Sequence, residues 1–72
     1  MILSKADIGV YRVISIFGGR NLLSRLASMG ILVDSKIEIV DNNKHIPLMI
    51  KIRGSEFAIG RGMASKIEVI KE

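Results

Sequence analysis

The sequence contains no cysteine and no tryptophan, one histidine, one proline, and only three residues that are phenylalanine or tyrosine. Without cysteine there is no disulfide framework and no thiolate metal site, which are two common supports of very small domains. A chain of 72 residues buries only about 60% of the surface that it exposes when unfolded. The fold must therefore rest on apolar packing, for which the 49% hydrophobic content provides the material.

Long apolar runs are also missing. No stretch approaches the roughly 20 apolar residues of a membrane span, and the first ten residues carry Lys5 and Asp7 instead of the apolar segment of a signal peptide. We find no repeat, low-complexity segment or linker. These features predict a soluble, cytoplasmic protein with a single domain over residues 1–72.

Short runs rich in valine and isoleucine alternate with glycines, as strands separated by turns do. The clearest alternation is in the third run, where Leu48, Ile50 and Ile52 share one face. The first run is apolar on both alternating sets, which predicts a strand that is covered on much of both faces. Gly54 and Ser55 are predicted to form a two-residue hairpin loop. The five predicted strands are Val10–Phe17, Ile37–Val40, Leu48–Arg53, Glu56–Ile59 and Lys66–Ile70.

One α-helix is predicted over residues 22–29, because Leu22, Leu26 and Met29 recur at helical spacing. Asn21 is the expected N-cap, and Gly30 stands where a left-handed glycine commonly ends a helix. A short 3-10 turn is predicted near residues 62–65, where the strand alternation is interrupted. Five strands with the helix between the first and the second indicate a mostly β, SH3-like barrel. The OB-fold is the alternative, but its main helix comes between strands three and four.

The sequence offers no constellation for catalysis and no ligand set for a cofactor. The single imidazole, His45, lies in a polar turn, and the acidic residues occupy turns or exposed strand faces. Transition metals prefer cysteine or clustered histidine, and the neighbouring residues 41–43 fit a hairpin turn better than a cation site. Two glycines before the helix resemble a phosphate cradle but lack the spacing of a phosphate-binding motif. We therefore predict a binding protein, with no catalytic, cofactor or metal residues.

A formal net charge of +4 makes nucleic acid an alternative partner. Small barrels that bind nucleic acid combine a basic groove with aromatic platforms, and aromatic residues are scarce here. Most cations on the strands also alternate with acids along the same face. Nucleic-acid binding is therefore not expected unless several of the remaining cations converge, namely Arg12, Arg20, Arg25, Lys51, Arg53 and Arg61.

Residues 25–31, Arg-Leu-Ala-Ser-Met-Gly-Ile, followed by a turn and an alternating strand, resemble the signature of the FeoA family. One departure is Val33-Asp34, where the family commonly has Pro-Gly. Aspartate visits the left-handed region more readily than most residues, so the turn can form at some cost in strain. The likeness runs along the whole chain and includes Gly9, Val13, Gly18, Gly19, Pro47, Gly54, Ala58, Ile59, Ala64 and Ile67–Val69.

The resemblance implies an SH3-like barrel with an inserted helix, in a small cytoplasmic protein of bacterial ferrous iron uptake. It implies a non-enzymatic accessory or regulatory module that docks on the cytoplasmic GTP-binding part of the FeoB transporter and reaches the membrane only through it. The same barrel is the C-terminal domain of iron- and manganese-dependent repressors, which makes weak transition-metal sensing another alternative. The scarcity of ligands argues against direct metal binding. These 72 residues include no DNA-binding helical domain, so we expect the stand-alone form to be the closer match.

The predicted helix and the residues after it supply more apolar side chains than one buried stripe requires. We expect one edge of this segment to remain available for a partner, with arginines at its rim. The predicted partner-binding residues are Arg20, Leu22, Leu23, Arg25, Leu26 and Met29, with Ile31, Leu32 and Val33 extending the surface.

Overall fold

The computed structural model describes all residues, 1–72. A 3-10 turn at Leu3–Lys5 precedes the first strand, and five strands and two helices follow. In chain order these elements are β1 (Gly9–Ile16), α1 (Arg20–Ser28), β2 (Lys36–Asp41), β3 (Leu48–Ile52), β4 (Ser55–Ile59), α2 (Arg61–Ala64) and β5 (Ile67–Lys71).

The strands form one antiparallel sheet in the order β4-β3-β2-β1-β5. Consecutive strands from β1 to β4 are neighbours, and β5 returns to pair with the free side of β1. The helix α1 lies in the long connection between β1 and β2, as predicted. The molecule measures 28 × 24 × 23 Å, which fits a bent sheet that curls around its own core. The predicted fold class, a mostly β, SH3-like barrel with one inserted helix, is confirmed.

The core consists of fifteen buried residues, all of them hydrophobic. Strand alternation produces it directly, since Leu48, Ile50 and Ile52 of β3 are buried while Lys51 between them is exposed. In β2, Ile37 and Ile39 are buried, Lys36 and Glu38 are exposed, and Val40 is half-buried. The predicted inward faces of these two strands are confirmed.

The first strand departs from the prediction because it contains a β-bulge. Val13 pairs with Val69, but the next pair joins Ser15 to Glu68, so Ile14 is an extra residue without a partner on β5. The bulge shifts the alternation by one residue. Tyr11 and Val13 point inward before it, and Ile16 packs on the core after it. Ile14 is 39% exposed, whereas the other residues of β1 are buried or half-buried, so the predicted cover on much of both faces holds everywhere except at Ile14.

The hairpin between β3 and β4 turns at Arg53 and Gly54, one residue earlier than predicted. Ile52 pairs with Ser55, which leaves two residues in the loop. Both have positive φ angles, 53° for Arg53 and 84° for Gly54. Positive φ at both central positions defines a type I′ turn, whose twist matches that of the flanking strands. The prediction placed Ser55 in the loop, whereas it begins β4.

Two further residues have the left-handed backbone expected from the sequence. Gly30 has a φ of 90°, and its N–H donates to the carbonyl of Ala27 just after α1. Asp34 has a φ of 76° at the third position of a turn closed by a hydrogen bond from the Ser35 N–H to the Leu32 carbonyl. Positive φ at this position is the mark of a type II turn, which favours glycine.

Helix α1 begins at Arg20, two residues before the predicted start, and its N-cap is Gly19 instead of Asn21. No side chain caps this helix end. The approach depends on glycine at the preceding position, because a Cβ at Gly18 would lie 2.4 Å from Cδ2 of Leu22. A side chain at residue 18 would therefore require Leu22 to change its conformation.

The second helical segment is a single α turn and not the predicted 3-10 turn. The N–H groups of Ala64 and Ser65 donate to the carbonyls four residues back, at Gly60 and Arg61. The observed 3-10 turn lies instead at Leu3–Lys5, where three residues are too few to show a periodic pattern in the sequence. Neither helix combines the length and the apolar character that crossing a membrane requires.

Arg61 ties three parts of the barrel together. Its guanidinium donates to the carbonyls of Ser4, Asn43 and Ile46 and to Oδ1 of Asn42. The amide of Asn42 in turn donates to the carbonyls of Ser4 and Ala6, at 3.3 Å and 2.7 Å. This network, which we call the Arg61 network, fixes the β2–β3 loop and the N-terminal segment against α2.

The two edges of the sheet are treated differently. Along β5, the N–H of Val69 donates to the carbonyl of Met1 and the Val69 carbonyl accepts from the N-terminal ammonium. Ile2 also forms an isolated antiparallel bridge with Glu68. The other edge strand, β4, pairs only with β3. One edge is therefore covered by the chain itself, and the other is left open.

Candidate docking surface

Residues 17–35, which we call the excursion, contain α1 and the turns on either side of it. The excursion contributes only two of the fifteen buried residues, Leu26 and Ile31. It nevertheless holds four large hydrophobic residues with at least 43% of their surface exposed, namely Phe17, Leu23, Leu32 and Val33. Apolar exposure is therefore concentrated in a segment that adds little to the core.

The faces of α1 explain this distribution. Leu26 is fully buried, and Leu22 and Met29 pack partly buried against the core. These three residues lie on one side of the helix because they are spaced at i, i+4 and i+7. Leu23 and Ala27, also four residues apart, lie on a neighbouring side, and both are exposed. The helix thus presents one apolar side to the barrel and a second one to solvent.

The predicted partner-binding residues therefore do different things in the fold. Leu26 belongs entirely to the core, so it supports the helix from beneath and has no surface to offer. Leu22 and Met29 are shared between the core and the surface, and Leu23 is the most exposed of the four apolar residues. The part of the set that is accessible consists of Leu23 with its two arginine neighbours.

Arg20 and Arg25 are both exposed, but they flank α1 from opposite sides. With 3.6 residues per turn, Arg20 lies three residues before Leu23 and close to the side that carries Leu23 and Ala27. Arg25 lies two residues after Leu23 and therefore faces away from it. Only Arg20 is positioned at the rim of the Leu23 surface.

The turn after the helix continues the apolar exposure. Leu32 and Val33 are each more than half exposed. Two backbone hydrogen bonds join this turn to Val13 on β1. The Asp34 N–H donates to the Val13 carbonyl, and the Val13 N–H donates to the Ser35 carbonyl. The exposed side chains are therefore held on a defined backbone.

The basic residues do not form a comparable surface. Arg12 donates to Oε1 of Glu72 at 2.9 Å and to the carbonyl of Asp34. Lys51 lies between Glu38 and Glu56, its register partners on the two neighbouring strands. Arg61 is committed to the Arg61 network. Three of the six cations that could have formed a nucleic-acid surface thus have local acceptors or acidic neighbours.

The titratable side chains do not converge either. His45 is exposed in the β2–β3 loop, where its backbone N–H donates to Oδ1 of Asn43. No three histidine, aspartate or glutamate side chains come together as metal ligands do. The larger of two surface grooves, about 540 Å³, has only Val10 and Ile52 as apolar lining residues. Binding pockets for small molecules are typically lined mainly by hydrophobic side chains.

The sequence did not predict the exposure of two large hydrophobic residues, Ile14 and Phe17. Ile14 and Phe17 were assigned to a strand covered on much of both faces, but they are 39% and 50% exposed. The bulge turns Ile14 outward, and Phe17 lies beyond the end of β1. The only sequence signal was the continuous apolar character of the segment, which does not distinguish a covered strand from a bulged one.

Comparison with known proteins places these features in context. A family model described as the FeoA domain matches residues 1–71. A curated relative from Methanocaldococcus jannaschii, named putative Fe(2+) transport protein A, is 45% identical over 51 residues, which are 71% of this chain. The match spans 61% of that relative's own length.

Two solved structures show how widely the fold occurs. The crystal structure of an iron uptake regulatory protein, FeoA, superposes with a TM-score of 0.90 at 33% identity and covers 100% of this chain and 96% of that one. A manganese-dependent transcriptional repressor in complex with manganese gives a TM-score of 0.90 at 22% identity. It covers 100% of this chain but 36% of the repressor, and at this identity the likeness shows the fold alone.

Proposed function

The chain belongs to the FeoA family, and from that premise we propose that it is a non-enzymatic accessory protein of ferrous iron uptake. In this proposal it docks on the cytoplasmic GTP-binding part of a FeoB-type transporter and regulates Fe²⁺ import from that position. It resides in the cytoplasm and meets the membrane only through the transporter. Iron is cargo of the transporter and does not bind to this chain.

The names of two similar proteins support the iron-uptake part of the proposal. One is called an Fe(2+) transport protein and the other an iron uptake regulatory protein. The chain itself supports the non-enzymatic part, since its only imidazole is solvent-exposed and its acidic side chains do not converge. A protein of this kind can act by recognising another macromolecule.

The observation that carries the docking part is the exposed apolar side of the excursion. A 72-residue chain has little apolar surface to spare, yet Leu23 on α1 and Leu32 and Val33 on the following turn remain outside the core. Contiguous exposed apolar surface with a polar rim is typical of protein–protein interaction sites. Leu23 is the expected centre, with Arg20 at its rim.

A matched pair of helix variants tests the docking surface. Leu23→Glu places a charge at the expected centre, whereas Ser24→Glu places the same charge on the adjacent exposed position, which points away from the barrel. We expect Leu23→Glu to weaken binding to the purified GTP-binding domain of a FeoB-type transporter by at least about tenfold, the scale of a central interface residue. Ser24→Glu should change the affinity by less than about twofold.

Titration of the labelled protein against that domain, with circular dichroism to verify folding of both variants, provides the measurement. Equal affinities of the wild type and a folded Leu23→Glu variant would exclude this surface. Salt dependence separates the nucleic-acid alternative, because phosphate contacts weaken steeply as salt rises and apolar docking does not. Strong paramagnetic broadening of specific amide signals by Mn²⁺ would instead support metal sensing.

A further inference from the structure

The open edge of β4 presents backbone groups that nothing in the chain satisfies. Ile52 and Ser55 close the two-residue hairpin, so they form a hydrogen-bonded pair, and such pairs alternate along an antiparallel ladder. Ser55, Phe57 and Ile59 therefore point their backbone groups toward β3. Glu56 and Ala58 point theirs away from it. No hydrogen bond outside the β3–β4 ladder involves either residue.

This edge lacks most of the features by which proteins protect exposed strands. Edge strands are usually blunted by proline, by bulges, by several charges or by a covering segment. The pairing of β4 with β3 runs without a bulge through all five residues, and the strand contains one charge and no proline. The opposite edge, along β5, is covered by residues 1 and 2.

The strand is complementary to itself about Phe57. In an antiparallel pair centred on this residue, Glu56 of one copy lies opposite Ala58 of the other, and both have outward backbone groups. These two pairs supply four backbone hydrogen bonds, and no like charges oppose one another. Phe57, half-buried on the inner face, lies opposite Phe57 of the second copy at the close spacing of a non-hydrogen-bonded pair, where aromatic pairs are favourable.

We propose that the free edge of β4 is a self-association site at which a second copy of the chain adds antiparallel about Phe57. The two sheets then continue as one across a two-fold axis, and the interface is isologous. A pairing centred on Glu56 would instead place two carboxylates directly opposite each other, which disfavours that register.

The association is weak because five residues form the contact. Edge-to-edge pairing of one short strand falls below the roughly 1,200 Å² of a stable specific interface. Dissociation constants between about 1 µM and 1 mM correspond to such contacts. Self-association therefore becomes visible at high protein concentration, and it leaves the excursion free because the two surfaces do not share a residue.

Sedimentation equilibrium and amide NMR signals of the full chain over a dilution series from about 1 mM downward test the proposal. We expect a monomer–dimer equilibrium in which the amides of Glu56 and Ala58 shift and exchange more slowly with solvent as concentration rises. The amide of Ser55 already donates to β3 and serves as the internal control. Concentration-dependent signals on α1 instead of β4 would overturn the proposal.

Charge variants at an exposed position test the register. Ala58→Glu places one glutamate opposite Glu56 in each of the two symmetric pairs, and we expect it to weaken dimerisation about threefold to tenfold. Ala58→Lys creates two opposite-charge pairs and should strengthen it by a similar factor. The double variant Glu56→Lys with Ala58→Glu forms the same two opposite-charge pairs with the signs exchanged, and it should strengthen dimerisation by a factor similar to that of Ala58→Lys. A chain that stays monomeric at about 1 mM, or equal effects of Glu and Lys at position 58, would overturn the proposal.

Discussion

The sheet and the excursion use apolar residues in opposite ways. The five strands supply ten of the fifteen buried residues, whereas the excursion supplies two and leaves four large hydrophobic residues in solvent. Both regions are rich in leucine, isoleucine and valine, so composition does not separate them. The difference shows that in a domain this small a high apolar content serves two purposes, stability in the strands and, as we propose, recognition in the excursion.

The largest expected effect comes from deleting apolar atoms in each region. Ile50 is fully buried in the middle of the sheet, so Ile50→Ala should lower the free energy of unfolding by about 2–5 kcal/mol. Leu23 is 43% exposed, and Leu23→Ala should cost less than about 1 kcal/mol. Urea unfolding of both variants measures the two values. Similar losses of unfolding free energy would mean that Leu23 contributes to the core as Ile50 does, and the proposed difference between the strands and the excursion would be wrong.

The second effect concerns how loops are anchored. The guanidinium of Arg61 satisfies three backbone carbonyls and Asn42, and hydrogen bonds from charged groups contribute about 1.5–3 kcal/mol. Because the network is partly solvent-accessible, we expect Arg61→Ala to destabilise the protein by about 1–3 kcal/mol. Arg25→Ala removes an exposed arginine from the excursion and should cost less than about 0.5 kcal/mol. Thermal unfolding compares the pair, and an equal cost would show that the Arg61 network contributes nothing specific.

The smallest effect has opposite signs in the two regions. Asp34 has a φ of 76° and its carboxylate makes no hydrogen bond, so Asp34→Gly should relieve strain and stabilise the protein by about 0.5 kcal/mol. Asp41 ends β2 with an ordinary strand backbone, and Asp41→Gly should destabilise it by a similar amount. Paired urea midpoints measure the difference. Destabilisation by Asp34→Gly would show that the type II turn does not store strain.

Much of the sheet could be predicted from the sequence because buried residues occupy every second position over Ile37–Ile39 of β2 and along β3. Leu48, Ile50 and Lys51 illustrate this pattern, and their faces were assigned correctly. The bulge in β1 could not be predicted, since an extra residue in an apolar run leaves no visible break in the sequence. Ile14 and Phe17 were therefore assigned to the wrong environment.

Prediction of the helix and turns succeeded where one residue dictates the backbone. Gly30 and Asp34 adopt the left-handed conformation expected of them. The predicted N-cap was wrong because the helix already begins at Arg20, so that Asn21, a good capping residue, lies inside its first turn. The α2 turn was placed within one residue, but a four-residue helix carries too little pattern to distinguish 3-10 from α geometry.

The candidate surface was predicted only in outline. An apolar excess in the helix segment indicated that some of it would remain outside the core, and the exposure of Leu23 agrees with that expectation. Which side of α1 faces the barrel depends on tertiary packing, so the burial of Leu26 could not be read from spacing alone. The position of Arg25 on the side away from Leu23, by contrast, follows from helical spacing. The open β4 edge was invisible for a similar reason, because strand order is a property of the fold.

The bulge at Ile14 has a consequence for how β1 tolerates changes in length. Its pairing with β5 needs one residue fewer than the strand contains, and without Ile14 the inward positions Val13 and Ile16 would be separated by Ser15 alone. Loss of that residue would turn an interrupted pattern into a regular one without moving any side chain to the opposite face. A single-residue deletion ordinarily shifts the register of a strand. Deletion of Ile14 should instead preserve the pairing of β1 with β5.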